Sequence, residues 1–226
     1  MPSPAPILVF DVNETLLDLT ALEPVFEDLF GERRAMRDWF AELILYSQTL
    51  TLAGQYRPFN ELAAAVLRMR GEIVGVGISD ADIQTLATAI GAMPAVGDVA
   101  PALERFRDGG FRLVTLTNSP PAGSPTSLER AGIAGFFEDH FSVDAVSRFK
   151  PAPECYRQVA DALGAPITDL CLVACHVWDT IGAQAVGCQG AFVQRPGNAV
   201  MTVPRLPAPD FVADDLGALA TRMGCR

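Results

Sequence analysis

The chain has 226 residues, enough for one sizeable core or for a core carrying a smaller insertion. Half of the residues are hydrophobic and 19% are charged, a globular balance that excludes intrinsic disorder. The formal net charge is −10 and no Lys/Arg cluster stands against it, so nucleic acid and anionic membrane surfaces are poor partners; solubility accounts for the acidity.

No run approaches the roughly 18 apolar residues of a membrane span. Met1–Phe10 lacks a basic start and an apolar stretch of secretory length, so no signal peptide is expected. The five cysteines (155, 171, 175, 188 and 225) are odd in number and form no CxxC pair. Reduced thiols in a cytoplasmic protein are the expectation.

Ile7-Leu8-Val9-Phe10 is a short apolar run that ends at Asp11, and it reads as a buried parallel strand. From about Leu16 to Ala95 the periodicity is helical, as in Trp39-Phe40-Leu43-Ile44 and Leu62-Val66-Met69. Ser79-Asp80-Ala81-Asp82 opens one of these helices with a capping-box pattern. Beyond Asp98 helices and strands alternate. Helices are expected at Pro101–Asp108, Ser127–Ala131, Pro153–Leu163 and Asp179–Val186, most of them closed by glycine. Strands are expected at 113–117, 141–143, 170–174 and 191–193, with a sixth at 211–212.

Strands alternating with single helices predict an α/β fold: a doubly wound, Rossmann-like parallel sheet covered on both faces. The first strand is separated from the rest by about eighty mostly helical residues. The expected organisation is therefore a core of residues 1–16 and 96–226, with a helical cap domain, 17–95, inserted after the first strand. Ligands of such sheets bind at the carboxyl ends of the strands.

Four strand ends carry polar groups: Asp11-Val12-Asn13-Glu14-Thr15, Thr117-Asn118-Ser119, Lys150-Pro151 and His176-Val177-Trp178-Asp179. A single strand-terminal Asp is as often a helix cap as a catalytic group; the four segments together are far more specific. A carboxylate can act as a nucleophile, splitting one hard displacement into two easier steps. Lys150 would keep Asp11 ionised. Thr117, Asn118 and nearby backbone N–H groups would bind negative oxygens of a substrate. Asp179 would balance Lys150 or position a water.

Asp-x-x-x-Thr-Leu after a strand, then Thr-Asn, then Lys-Pro, then a final Asp resembles the haloacid dehalogenase superfamily, in order along nearly the whole chain. Leu116-Thr117-Asn118-Ser119, Ser142-Val143-Asp144, Lys150-Pro151, Tyr156 and Trp178-Asp179, with Trp39, Tyr46, Tyr56 and Phe59, are similar to its L-2-haloacid dehalogenase (type II) branch. The resemblance implies that Asp11 displaces halide from C2 of a short 2-haloacid, and that water hydrolyses the resulting ester to the 2-hydroxy acid with inversion. It makes Thr15, Thr117, Lys150, Tyr156 and Asp179 the shell supporting Asp11. It gives Val12, Asn13, Phe40, Phe59, Asn118, His176 and Trp178 to the substrate, with ordinary core packing an equal reading for Phe59. No cofactor and no metal are expected. The partner is a small molecule, neither nucleic acid nor membrane, and a homodimer is left open.

Phosphatases are the rival within the superfamily. They resemble Asp-x-Asp at the first motif, where this chain has Asn13, and an amide cannot protonate a leaving oxygen. They also hold Mg²⁺ with paired acids after the fourth strand, and the residue four before Asp179 is Cys175, a poor ligand for a hard cation. Within the dehalogenase branch, Phe40 stands where an Arg is usual; Arg37, one turn earlier, reads as a solvated surface charge. His176 stands where an Asn lines the pocket and could donate to a substrate carboxylate or orient the hydrolytic water. His140 and Cys175 read as structural. Hydrolysis of another small electrophile, or metabolite binding without catalysis, are the alternative functions; the pairing of Asp11 with Lys150 argues against the second.

Overall fold

The computed structural model describes residues 6–121 and 123–225; Met1–Ala5, half of the segment read for a leader, lie outside them. The central feature is a six-stranded sheet in the order β3-β2-β1-β4-β5-β6, with every neighbouring pair parallel. The strands are β1 (Ile7–Phe10), β2 (Arg112–Thr117), β3 (Asp139–Ser142), β4 (Leu170–Ala174), β5 (Gln189–Val193) and β6 (Phe211–Ala213). The central strands β1 and β4 are buried at every residue, as their unbroken apolar runs require when both faces of a sheet are covered. The order changes direction at β1, so a crevice opens between the ends of β1 and β4.

Four helices follow β1: α1 (Glu23–Phe30), α2 (Ala35–Leu52), α3 (Phe59–Val74) and α4 (Asp80–Gly91). Ser79 and Asp82 form the anticipated capping box at the start of α4. The chain leaves and re-enters the sheet region at one place, where Leu17 bridges Ala95 and Val96 N–H donates to Leu16 O at 2.9 Å. Trp39 ties α2 to α3 by donating to Ala63 O at 3.0 Å, and it packs 5.1 Å from Phe26 of α1.

The remaining helices are α5 (Val99–Asp108), α6 (Ser127–Arg130), α7 (Pro153–Leu163), α8 (Val177–Ala185) and α9 (Leu216–Arg222). Successive side chains of β1 point to opposite faces. Phe10 meets Phe106 of α5 at 6.0 Å, while Val9 lines a crevice with Tyr156 and Val159 of α7, so the sheet is covered on both sides.

Several boundaries differ from the sequence reading. β3 begins at Asp139 rather than 141, and Val143 belongs to a 3-10 turn, because this edge strand carries polar residues instead of an apolar run. α8 starts at Val177, two residues early, which puts Asp179 in its first turn. α9, capped by Asp215, was not anticipated.

Candidate active site

The crevice between β1 and β4 collects the chemistry. Asp11 closes β1, its backbone N–H held by Val173 O at 3.0 Å. The chain then turns sharply: Glu14 adopts a left-handed φ of 67° and Leu16 N–H returns to Val12 O at 2.9 Å. This turn explains the four-residue spacing of the motif. It folds Thr15 back so that its hydroxyl donates to Asp11 Oδ2 at 2.6 Å and accepts from Cys175 N–H at 3.0 Å.

Lys150 is fully buried and spends its three donors on Asp11 Oδ1 (2.8 Å), Asp179 Oδ2 (2.6 Å) and Leu116 O (3.0 Å). Its backbone N–H donates to Asn118 Oδ1 at 3.1 Å, which fixes that amide. Tyr156 donates to Asp179 Oδ1 at 2.7 Å. Tyr156 therefore supports Asp11 only through Asp179 and Lys150. Gly182 permits this, because a Cβ there would lie 2.4 Å from Pro151 Cβ and 2.6 Å from the Tyr156 hydroxyl.

His176 precedes α8 and is buried with a carboxylate at each nitrogen: Asp11 Oδ2 lies 3.2 Å from Nδ1 and Glu14 Oε2 lies 2.8 Å from Nε2. The ring stacks on Trp178 at 5.1 Å, and Phe40 lies tilted against it at 5.8 Å. The second Glu14 oxygen accepts from Arg37, whose other terminal nitrogen donates to Pro196 O at 2.9 Å. Arg37 is thus no free surface charge, as the sequence suggested. Its place on α2 directs it back to the turn after β1, and Glu14 was not foreseen at all.

The charges balance, with Lys150, His176 and Arg37 against Asp11, Asp179 and Glu14. Burial works against the ionised form of Asp11, but Lys150 and then His176 outweigh it and hold the carboxyl well below the usual range. Glu14 is likewise lowered: His176 and Arg37 outweigh its burial. Asp179 moves the other way, raised by burial and by the nearby Asp11 charge in spite of Lys150. Burial disfavours charge on Lys150 too, yet Asp11 and Asp179 raise it. Burial would push the His176 imidazole down; the Cys175 sulfur, Asp11 and Glu14 together hold it well above its ordinary value. Tyr156 is raised far up by burial and Asp179, so it stays a neutral donor.

A narrow cavity of about 10 Å³ opens on these groups, lined by Asp11, Asn13, Phe40, Ile44, Phe59, Asn118, His176 and Trp178. That is room for about one water molecule, far below the 300 Å³ or so at which pockets for drug-sized ligands begin. Phe59 both lines it and packs on Phe149 at 5.7 Å. Two residues assigned to this site lie elsewhere. Val12 and Thr117 line a neighbouring depression toward β3, and the Thr117 hydroxyl accepts from Ser119 N–H at 3.1 Å, because the alternation of β2 turns Thr117 away from Asp11. Asn13 borders both spaces and donates to Ser119 Oγ at 3.3 Å. His140 is structural, bonded to Thr115 Oγ1 at 3.0 Å.

Asp11, Cys175 and His176 bring ligand-type atoms within 4.8 Å of one another. They do not fit Mg²⁺. The set offers one carboxylate, whose oxygens are already engaged by Lys150, Thr15 and His176, and otherwise a thiol and an imidazole, where a hard cation requires oxygen.

A model of the haloacid dehalogenase-like hydrolase family matches residues 6–187. The chain is 27% identical over 214 residues to (S)-2-haloacid dehalogenase 2 of Pseudomonas sp. (strain CBS-3), covering 94% of this chain and 93% of that protein. It is 26% identical over 214 residues to haloacetate dehalogenase H-2 of Moraxella sp. (strain B), covering 94% and 95%. Of solved structures, the L-2-haloacid dehalogenase RSc1362 superposes with a TM-score of 0.91 at 27% identity, covering 98% of this chain and 99% of that one. The Xanthobacter autotrophicus L-2-haloacid dehalogenase with chloropropionic acid covalently bound shares the fold, with a TM-score of 0.86 at 23% identity and coverage of 97% and 98%.

Proposed function

We propose that this chain, which belongs to the haloacid dehalogenase-like hydrolases by the match over residues 6–187, converts short (S)-2-haloacids to 2-hydroxy acids without a metal. The observation that carries this reading is the setting of Asp11. It is an ionised carboxylate, held by Lys150 and Thr15, facing a small cavity with four apolar walls, with the amide of Asn13 and no second carboxyl among its described lining residues. Such a site suits a leaving group that departs as an anion without a proton, which halide does. The names of the relatives in both comparisons point the same way.

In this reading an Asp11 oxygen attacks C2 of the substrate from the side opposite the halogen. The C–O bond forms, the C–halogen bond breaks, and the halide leaves with the bonding pair. Lys150 and Thr15 fix the rotamer of Asp11, so that the attacking oxygen is oriented before substrate arrives. Asn118, pinned through Oδ1 by Lys150 N–H, has its amide nitrogen for the substrate. Phe40, Ile44, Phe59 and Trp178 exclude water during alkylation. Tyr156 and Asp179 hold Lys150 in place. Thr117 contributes only through the loop that carries Asn118 and Ser119. Residues 17–95 act as a cap domain over a core of 1–16 and 96–226. The five cysteines, all unpaired and buried, agree with a reducing, cytoplasmic setting.

The test is a panel of 2-haloacids and phosphate esters, with and without EDTA. Halide release should persist under chelation and vanish in Asp11→Asn. A single turnover in H₂¹⁸O should leave the label in Asp11, because water attacks the ester carbonyl. Phosphate release dependent on Mg²⁺, or undiminished halide release by a folded Asp11→Asn protein free of deamidation, would refute the reading.

A further inference from the structure

We propose that His176 is the general base of the second half-reaction, taking the proton of the water that hydrolyses the Asp11 ester, with Glu14 and Arg37 as the positioning residues behind it. This rests on the aspartyl-ester reading above and adds to it the group that activates the water.

Hydrolysis needs a base within reach of Asp11. Asp179 is poorly suited: one oxygen is engaged by the Lys150 ammonium at 2.6 Å and the other by the Tyr156 hydroxyl at 2.7 Å. Lys150 carries its proton into three hydrogen bonds. His176 is different. Nδ1 lies 3.2 Å from the reacting carboxylate, while Nε2 is anchored 2.8 Å from Glu14. This is the arrangement of an imidazole base with an acidic partner on its far nitrogen. The ring stacks on Trp178 and packs against Phe40. His176 and then Arg37 hold Glu14 ionised, and the Arg37 guanidinium stays paired with it, so that Glu14 orients the ring instead of taking its proton. Glu14 has φ of 67°, a conformation non-glycine residues rarely adopt, and the surrounding contacts keep it there.

The charges also favour a switch between the two half-reactions. In the resting site the ring faces Asp11, Glu14 and the Cys175 sulfur, and it is held charged. Alkylation removes the charge on Asp11, and with it one of the two carboxylates stabilising the imidazolium. As the halide leaves, the ring gives up its proton to solvent. Water then attacks Cγ of the ester and its proton passes to Nδ1. The tetrahedral adduct collapses, the Cγ–O bond to the substrate breaks, and the departing alkoxide takes the proton from Nδ1. The Asp11 carboxylic acid that remains returns its own proton to the ring, which restores the resting state. The sum is haloacid plus water giving hydroxy acid, halide and one proton.

The experiment follows ester decay by rapid mixing of enzyme with excess (S)-2-chloropropionate, acid quench and intact-protein mass spectrometry, alongside halide release. In His176→Asn, one halide per enzyme should appear in a burst and alkylated protein should accumulate. Ester decay should slow by about 10²- to 10⁴-fold, the usual contribution of a general base. Glu14→Gln should slow the same step by a smaller factor and leave alkylation intact. In the wild type, ester decay should rise with pH through a single ionisation that His176→Asn lacks. The burst itself reports a folded, alkylation-competent site, and Glu14→Gln carries the test should His176→Asn not fold. Ester decay at the wild-type rate in either folded variant overturns the role of His176. Absence of any ester in the wild type instead overturns the reading of Asp11.

Discussion

Lys150→Met separates the charge of the buried ammonium from its volume. The side chain that replaces it is close in size, so the cavity left behind is small and the change reads chiefly as electrostatic. What is lost is contact with Asp11 Oδ1 at 2.8 Å, Asp179 Oδ2 at 2.6 Å and Leu116 O at 3.0 Å, in a place where both acids are almost wholly buried. Removing one partner of a buried ion pair costs about 3–5 kcal/mol, because the other charge is left uncompensated. Domains are commonly stable by about 5–15 kcal/mol, so the variant should be marginal at neutral pH. The loss should depend on pH. Without the ammonium, burial and mutual repulsion raise the two carboxyls, and their penalty is relieved as pH falls through those raised values. Urea denaturation at pH 7 and pH 4 measures this directly, and Asp179→Asn in the Lys150→Met background should recover part of the stability at pH 7. A Lys150→Met protein as stable as wild type at pH 7, or one whose deficit is the same at both pH values, would refute the reasoning.

Gly182→Ala should cost both stability and turnover, since its Cβ would enter space held by Pro151 and the Tyr156 hydroxyl, and backbone atoms there cannot withdraw; thermal melting and halide release check this. Phe40→Arg, which the sequence alone recommends as a repair, should instead lower both melting temperature and kcat/KM. The guanidinium would replace a ring 5.8 Å from the charged His176, and overpacking alone costs about 1–3 kcal/mol. Stability should also follow the buried titrating groups. Asp11 and Glu14, lowered from 3.8 and 4.5, contribute fully above those values and lose their contribution as pH falls through the folded values. His176, raised above 6.5, contributes fully below that pH and loses its contribution as pH rises through the folded value. Chemical denaturation from pH 3 to pH 9 should therefore show a gain from Asp11 and Glu14 as pH rises from the acid side, opposed by Asp179, whose raised carboxyl loses its contribution above 3.8, and His176→Asn should shed the alkaline decline due to this ring.

Much of this was legible in the sequence for one reason: a parallel sheet buries its central strands on both faces, so β1 and β4 appear as unbroken apolar runs and the polar residues just beyond them mark the crevice. Asp11, Lys150 and Asp179 were found this way, and they meet in the structure at 2.6–2.8 Å. What failed depended on direction instead of position. Thr117 ends the right strand but points to the wrong side of it. Arg37 sits on a helix with ample polar neighbours, and only the packing of α2 over the turn after β1 brings it to Glu14. Glu14 lies in a turn whose left-handed backbone has no glycine to announce it. The start of β3 was missed because an edge strand needs no apolar run.

The crossing between Leu16-Leu17 and Ala95-Val96 bears on how such an enzyme changes over time. The two ends of the helical insertion are hydrogen-bonded to each other, with Asp18 N–H reaching Pro94 O at 2.8 Å and Val96 N–H reaching Leu16 O at 2.9 Å. A segment whose ends already touch can be exchanged for another of different length with little added loop-closure entropy and without moving the sheet. Asp11, Lys150 and Asp179 stay on one side of that junction, while Phe40, Ile44 and Phe59 travel with the insertion. The nucleophile with its ammonium and the apolar walls of the substrate space are thus encoded on separable stretches of gene, and recombination at residues 16–17 and 95–96 would reassign the second, with Arg37, while leaving the first in place.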